Sequence, residues 1–376
     1  MKHLSRFPKL SAAQYQHKLQ LPSGRRRCVI DTDARNEIDD QFALAWALLS
    51  QDALNIEAVY AAPYSFLRRW HELQAAARAK ANPDNASDEH KALLATYEAQ
   101  LSRLERTGVD ISDRAQLDPQ AVTLVEPGRG MELSYREILL VCEKIGIDFE
   151  SKVFRGSDRY LENYDAPVVS EAAAHLVETA RTASAESPLY VLAIGALTNV
   201  ASALLLAPEI IERVVVVWTA GYPTTITNIA QPSFNMEQDM LASQLLFDCG
   251  VPLVYLPGFH VGAQLSLSLP EMAAWVKGAG EIGDYLYWLY TNNPHFHFLG
   301  LKGHFGRSWI IWDLINIAWL IKPGWVPTYL KDSPYLSVDR RWYRLASPRH
   351  PIREGLDINR DAIFRDFFRK LAAAAR

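Results

Sequence analysis

Cysteine is scarce in this chain: three among 376 residues, Cys28, Cys142 and Cys249, far apart and odd in number. That spacing supplies neither a disulfide framework nor a thiolate metal site, and it suits a reducing, cytoplasmic compartment. Basic runs are equally sparse. Beyond Arg25-Arg26-Arg27 there is no cationic block, and the formal net charge is −4. Nucleic-acid binding as the main role leaves a basic footprint, which is missing here. No apolar run approaches the roughly 20 residues needed to cross a bilayer. The stretch from Met1 to Ser23 is polar and lacks the apolar core of a secretory signal. Internal repeats and low-complexity tracts are absent too. What is left is a chain with 49% hydrophobic residues, enough for a large core in one big domain or two.

What is present is acid, concentrated in one place. Residues 31–40, Asp-Thr-Asp-Ala-Arg-Asn-Glu-Ile-Asp-Asp, carry five carboxylates in ten positions. An apolar run (Cys28, Val29, Ile30) precedes them and a helical pattern over 42–49 follows. Carboxylates at that density repel unless solvent or a cation neutralises them, and the apolar flanks argue against solvent. The segment therefore reads as the end of a buried strand, a loop and the first turn of a helix, the kind of oxygen-rich loop that binds hard cations.

Further short apolar runs at 56–61, 189–194, 214–218 and 253–256 read as buried strands. Helical patterns at 170–182, 200–206 and 240–248 alternate with them. The expected fold class is α/β, a mostly parallel open sheet with helices on both faces. In such sheets ligands sit beyond the carboxyl ends of the strands, where residues 31–40, 195–199 and 219–235 would meet. One region breaks the rhythm. From about 67 to 107 the chain is rich in Ala, Glu, Lys, Arg and Gln, and residues 82–85 (Asn-Pro-Asp-Asn) mark a turn, so two helices are expected. A looser stretch follows to about 130. The simpler reading is a solvated surface hairpin; a lid or an oligomer contact is the alternative. The resulting plan is an N-terminal extension over 1–26 and one domain over 27–376 with a helical insertion at about 67–130. The tail is weakly patterned until an amphipathic helix over 360–375.

Four motifs in order resemble the inosine-uridine-type nucleoside hydrolases. Asp31-Thr32-Asp33 followed by Asp39-Asp40 resembles that family's Asp-x-Asp-Pro-Gly-x-Asp-Asp signature, with the loop two residues longer. Residues 193–199 (Ala-Ile-Gly-Ala-Leu-Thr-Asn) are similar to its Gly-Pro-Leu-Thr-Asn segment. Ser233-Phe234-Asn235, with Asp239 four residues on, resembles its Glu-Phe-Asn and following Asp. Trp312-Asp313 resembles its late His-Asp pair. The resemblance runs over about 27–62 and from 130 to the C-terminus. It implies Ca2+ at the base of a pocket, held by the Asp33, Asp40 and Asp313 side chains and the main-chain carbonyl of Ile194. It also implies Asp33 as general base toward a water that attacks the anomeric carbon, through an oxocarbenium-like transition state. Asp39 would hold ribose hydroxyls with Asn235 and Asp313, and Asp31 would orient the loop from behind. Asn228 is aligned with a further sugar contact, and Trp312 with the base. Thr198 and Asn199 read more simply as helix caps. Relatives are often dimers or tetramers, so a homo-oligomer acting on a small nucleoside or ribosyl compound is implied.

Three departures bear on the substrate. Ser233 stands where the family has a Glu that helps bind the ribose 5′-hydroxyl, so a larger or anionic 5′ substituent, or a different sugar, is expected; Arg35 is a second place for an anion contact. Trp312 replaces a His that aids departure of the base, leaving stacking, solvent, or one of His295, His297, His304 and Tyr222. Residues 61–64 (Ala-Ala-Pro-Tyr) replace a pocket-side Gly-Asn, with Tyr64 facing either the ligand or the core. Two other readings compete with hydrolysis: a sensing homologue that keeps the calcium and ribose site without turnover, and a phosphatase-like use of Asp31 as nucleophile and Asp33 as acid.

Overall fold

The computed structural model describes residues 2–184 and 186–375. Its centre is an eight-stranded sheet. We label the strands β1 (Arg26–Thr32), β2 (Leu54–Ala61), β3 (Val153–Arg155), β4 (Leu189–Ala193), β5 (Val214–Ala220), β6 (Leu253–Pro257), β7 (Thr328–Asp332) and β8 (Pro351–Gly355). They lie in the order β3-β2-β1-β4-β5-β6-β8-β7. Every pairing is parallel except β8 with β7 at one edge. β4 and β5 are buried at every position, which is why they read as near-continuous apolar runs rather than as an alternating pattern.

Helices cover both faces. α1 (Asp39–Leu48), α4 (Pro127–Ile145), α10 (Leu314–Ile321) and α11 (Arg360–Ala374) lie with one apolar layer; α5 (Glu171–Arg181), α6 (Thr198–Leu206) and α8 (Met240–Asp248) lie with the other. The expected open α/β sheet is therefore what forms. The pairing order reverses between β1, whose other neighbour is β2, and β4, whose other neighbour is β5. That switch point opens a crevice at the carboxyl edge. The loops after β1, β4, β5 and β6 all empty into it.

Within the N-terminal extension, the described residues 2–26 pack on the body of the molecule. The helix Ala12–Lys18 buries Tyr15, Leu19 joins the core, and the Leu19 carbonyl accepts from Arg353 Nε at 2.8 Å.

The insertion departs from the surface-hairpin expectation. Its two helices, α2 (Leu67–Ala81) and α3 (Asp88–Thr107), form as the turn at 82–85 predicts. They enclose a third apolar cluster of their own, with Phe66, Leu73, Leu101, Leu104, Leu117, Leu124 and Phe298 buried. Phe298 lies on the short helix α9 (His295–Leu299), and Gln100 and Arg103 donate to the Phe298 and Leu299 carbonyls at 2.7 and 2.9 Å. The pair is thus docked on the body of the molecule. The looser stretch ends earlier than the sequence suggests, because α4 starts at Pro127, a favoured first-turn residue. Tyr64 is a core residue: fully buried, it donates to the Val122 carbonyl at 2.9 Å and ties down the insertion's return.

Candidate active site

β1 ends by placing Asp31 and Thr32 inside the sheet, and Asp33 begins the loop beyond it. Asp39 and Asp40 open α1, where helix N-terminal N–H groups favour negative charge. Asp313 precedes α10 and comes in from the other end of the sequence. The result is a cluster of carboxylates with almost no access to solvent: Asp33 0%, Asp39 4%, Asp40 1%, Asp313 3% exposed. Oxygens of Asp39, Asp40 and Asp313 lie within 4.8 Å of one another.

Burial raises the carboxyls of Asp33, Asp39 and Asp313 well above the usual carboxylate range; repulsion adds to the rise, from Asp40 and Asp39 on Asp33, from Glu37 and Asp40 on Asp39, and from Asp39, Asp40 and Asp33 on Asp313. Asp40 is pushed up to about 7 by burial, against the pull of Thr32 Oγ1, which donates to it at 2.5 Å. Nearby basic side chains are engaged elsewhere, Arg35 with Glu137 and Arg69 with Glu237.

Asp33 is held by amides. Asn36 Nδ2 donates to its Oδ2 at 2.6 Å and Gln238 Nε2 at 3.4 Å, while its Oδ1 is buried with no partner among the described residues. Gly195 lets it fit, since a Cβ there would stand 2.8 Å from Asp33 Cγ. Behind it Asp31, raised to about 7 by burial, accepts from Asn199 Nδ2 at 2.8 Å. The same Asn199 accepts from Ser157, and Thr198 donates to Asp239 at 2.7 Å. Thr198 and Asn199 are therefore cross-braces between loops; no side-chain cap forms at the start of α6.

These residues head a cavity of about 140 Å³. Asp33, Asp39, Asp40, Ile194, Asn235, Trp312 and Asp313, each singled out in the sequence, all line it. Asn235 Nδ2 donates to the Ile194 carbonyl at 2.9 Å, so the two act together. Asn228 does not belong: it is exposed, outside the lining, and its carbonyl faces Arg341. The loop after β5 swings away before it.

Arg35 also points elsewhere, 3.3 Å from Gln120 and 3.7 Å from Glu137. Its φ of 85° shows how the lengthened loop turns there. Of the proposed proton donors, none lines the cavity. His295 is buried against the Asn36 carbonyl, His297 is exposed, His304 stacks on Tyr290 at 5.0 Å, and Tyr222 stacks behind Phe259 at 4.7 Å.

Several lining residues went unseen in the sequence. Phe259, after β6, meets Trp312 edge-on at 5.4 Å and completes an aromatic wall. Asn36 and Glu37 come from the lengthened loop, and Arg69 comes from α2. The loop's two extra residues were the only signal for the first pair.

A family model, inosine-uridine preferring nucleoside hydrolase, matches residues 113–353. The chain belongs to this nucleoside hydrolase family. The match spans the Gly195, Asn235 and Asp313 segments and stops short of the Asp33 loop, which the fold brings to the same cavity. A purine-preferring ribonucleoside hydrolase from Gardnerella vaginalis is similar over 93% of this chain and 99% of its own, at 18% identity and a TM-score of 0.59. A plant nucleoside hydrolase is similar over 94% and 100%, at 14% identity and a TM-score of 0.59. At such identities the likeness is one of fold. An uncharacterized protein of Schizosaccharomyces pombe is 34% identical over 133 residues, 35% of this chain and 41% of that relative's length.

Members of the nucleoside hydrolase family are metal-dependent, and the donors here suit a hard divalent cation. They are buried carboxyl oxygens, and beside them Asp33 Oδ1 has no partner among the described residues. The structure groups Asp39, rather than Asp33, with Asp40 and Asp313, while Asp33 lines the same cavity.

Proposed function

We propose that this nucleoside hydrolase family member cleaves the N-glycosidic bond of a ribonucleoside or related ribosyl compound, with calcium in the carboxylate cluster. The observation that carries the reading is the arrangement of one cavity: buried, unneutralised carboxylates at its head and an aromatic wall of Phe259 and Trp312 beside them.

Asp40 and Asp313 would hold the cation with Asp33 and the Ile194 carbonyl, Asp39 lying within reach of both cation and sugar. When bound, the ion neutralises the cluster and makes water easier to deprotonate. Asp33 takes the proton from the attacking water, its geometry fixed by the Asn36 and Gln238 amides and by the close approach of Gly195. Asp39 and Asn235 orient the ribose hydroxyls, which lowers the entropic part of the barrier. Positive charge grows on the sugar as the base departs, and the carboxylates around it stabilise that charge. Trp312 and Phe259 pack against the flat leaving group.

The test is base release across purine and pyrimidine nucleosides, with and without a chelator, together with thermal unfolding in calcium. Calcium at about 100 times its dissociation constant should stabilise the chain by about 2.7 kcal/mol. Chelator or Asp33→Ala should abolish release; substantial activity in either removes this mechanism. One observation favours a second reading, a sensing homologue: among the described residues lining the cavity there is no His, Tyr, Cys or Lys, and the only protonatable groups are the carboxyls, which the first reading assigns to the cation, the water and the sugar. Calcium-dependent stabilisation with no release from any substrate would favour that reading.

A further inference from the structure

The cavity has a third wall. The acidic cluster takes the sugar hydroxyls and the Trp312 side takes the base, which leaves the wall made by Pro232, Ser233, Phe234 and Arg69 for the remaining substituent of the sugar. That wall is cationic. Arg69 pairs with Glu237, and Arg340 reaches the same carboxylate from the other side of the sequence. Two guanidinium groups on one carboxylate leave one positive charge over.

Arg69 is also well fixed. Its Nη2 donates to the Pro232 carbonyl at 3.0 Å, and its guanidinium lies 4.9 Å from the ring centre of Phe234. Phe234 in turn stacks on Phe66 at 4.0 Å. An arginine held flat in this way is prepared for an oxyanion with little further ordering. Ser233 beside it is only 5% exposed and its hydroxyl makes no cap to the short helix α7 (Phe234–Gln238).

A second cavity of about 170 Å³ shares Arg69 and Phe234 with the first. Ser65, Arg68, Tyr160, Glu237 and Gln238 complete its lining, so space and polar donors continue past the arginine. Glu37 lines the first cavity without an ion pair to Arg69 among the described residues, although its charge acts on that arginine; with Asp33, Asp39, Asp40 and Asp313 it opposes an incoming anion until a cation neutralises the cluster.

We infer that the substrate is a ribosyl compound carrying a phosphate at its 5′ position, received by Arg69 of the inserted helix and the Ser233 hydroxyl. This rests on the proposed ribosyl site and assigns its substrate class. It also gives the insertion a purpose: α2 brings a cation to a pocket otherwise built from carboxylates, where a free 5′-hydroxyl would need none.

The experiment is calorimetric titration of the full, calcium-loaded chain with ribose and with ribose 5-phosphate, run beside base release from a nucleoside and its 5′-monophosphate. Ribose 5-phosphate should bind about tenfold tighter or more, the scale of one charge-assisted hydrogen-bonding site. Arg69→Gln should bring the two sugars to within about twofold. Ser233→Glu, which leaves the Arg69 packing in place and adds an opposing charge, should do the same. Equal binding, binding of neither sugar, or a gap that survives both substitutions overturns the inference. Base release from free nucleosides with equal sugar binding would leave the hydrolytic reading standing and remove this one. A phosphate preference lost in both variants, with no base release from either substrate, would do the reverse.

Discussion

Gly195 sets how closely Asp33, the proposed general base, can approach the end of β4. It follows β4 at the switch point, its carbonyl accepts from Trp218 Nε1 at 3.2 Å, and it has no side chain because Asp33 occupies the space. A methyl group there would sit 2.8 Å from Asp33 Cγ and 3.0 Å from the Asp33 backbone nitrogen. The loop is braced by Asn36 and, through Asp31, by Asn199, so it cannot retreat freely. Gly195→Ala should therefore displace Asp33 by a few tenths of an ångström or more. Misplacements on the ångström scale cost about 100-fold in rate. The expected outcome is a fall in kcat of that order, a smaller change in KM, and a far-ultraviolet dichroism spectrum like that of the parent. A variant with unchanged kcat would show that the close approach does not govern catalysis.

At the scale of elements, α2 and α3 form a unit with its own core, joined to the rest through α9, Phe66 and the return at 117–124. Leu104 is fully buried inside it. Leu104→Ala removes three carbons and should cost about 2–4 kcal/mol. Because the pair contributes no strand to the sheet, we expect local opening before global unfolding. Hydrogen exchange should speed across 67–107 while β1, β4 and β5 keep their protection. Uniform loss of protection would mean that the pair and the sheet unfold as one.

The sequence revealed this element's helices but not where they dock, because docking is set by Phe298 and Phe234, far away in the chain. The same divide runs through the rest of the molecule. β1, β2, β4, β5 and β6 were legible because buried parallel strands are continuous apolar runs. β3 was not, being three residues long. β7 and β8 were not either, because an antiparallel edge pair carrying Lys331, Asp332, Pro351 and Arg353 has no such run. In the site, the aspartates stood out by density alone, whereas Arg69 and Phe259 are ordinary residues until the fold brings them to one cavity. Asn199 looked like a cap because Asn suits both roles; only the distance to Asp31 distinguishes them.

At the scale of the whole molecule, the end of the chain closes over the beginning. The tail runs through His350 into β8, and His350 stacks on Tyr15 of the N-terminal helix at 5.9 Å while Tyr15 donates to the Gly250 carbonyl at 2.5 Å. His350 Nε2 is buried with no partner among the described residues. Burial, and then the neighbouring Arg349 charge, lower its pKa from 6.5 to about 4. The unfolded chain thus takes up this proton near pH 6.5 and the folded chain only near pH 4. Between those values unfolding consumes a proton, so acid favours unfolding: the His350 contribution is whole above pH 6.5 and is lost as pH falls toward 4. Integrated from pH 7.5 to pH 5, the loss is about 2 kcal/mol. His350→Phe keeps the stacking on Tyr15 and removes the titration. Urea unfolding at the two pH values should then show the parent losing about 2 kcal/mol more than the variant. Parallel losses would mean that His350 is protonated in the folded chain as readily as in the unfolded one, and that the contact closing the two ends carries no pH dependence.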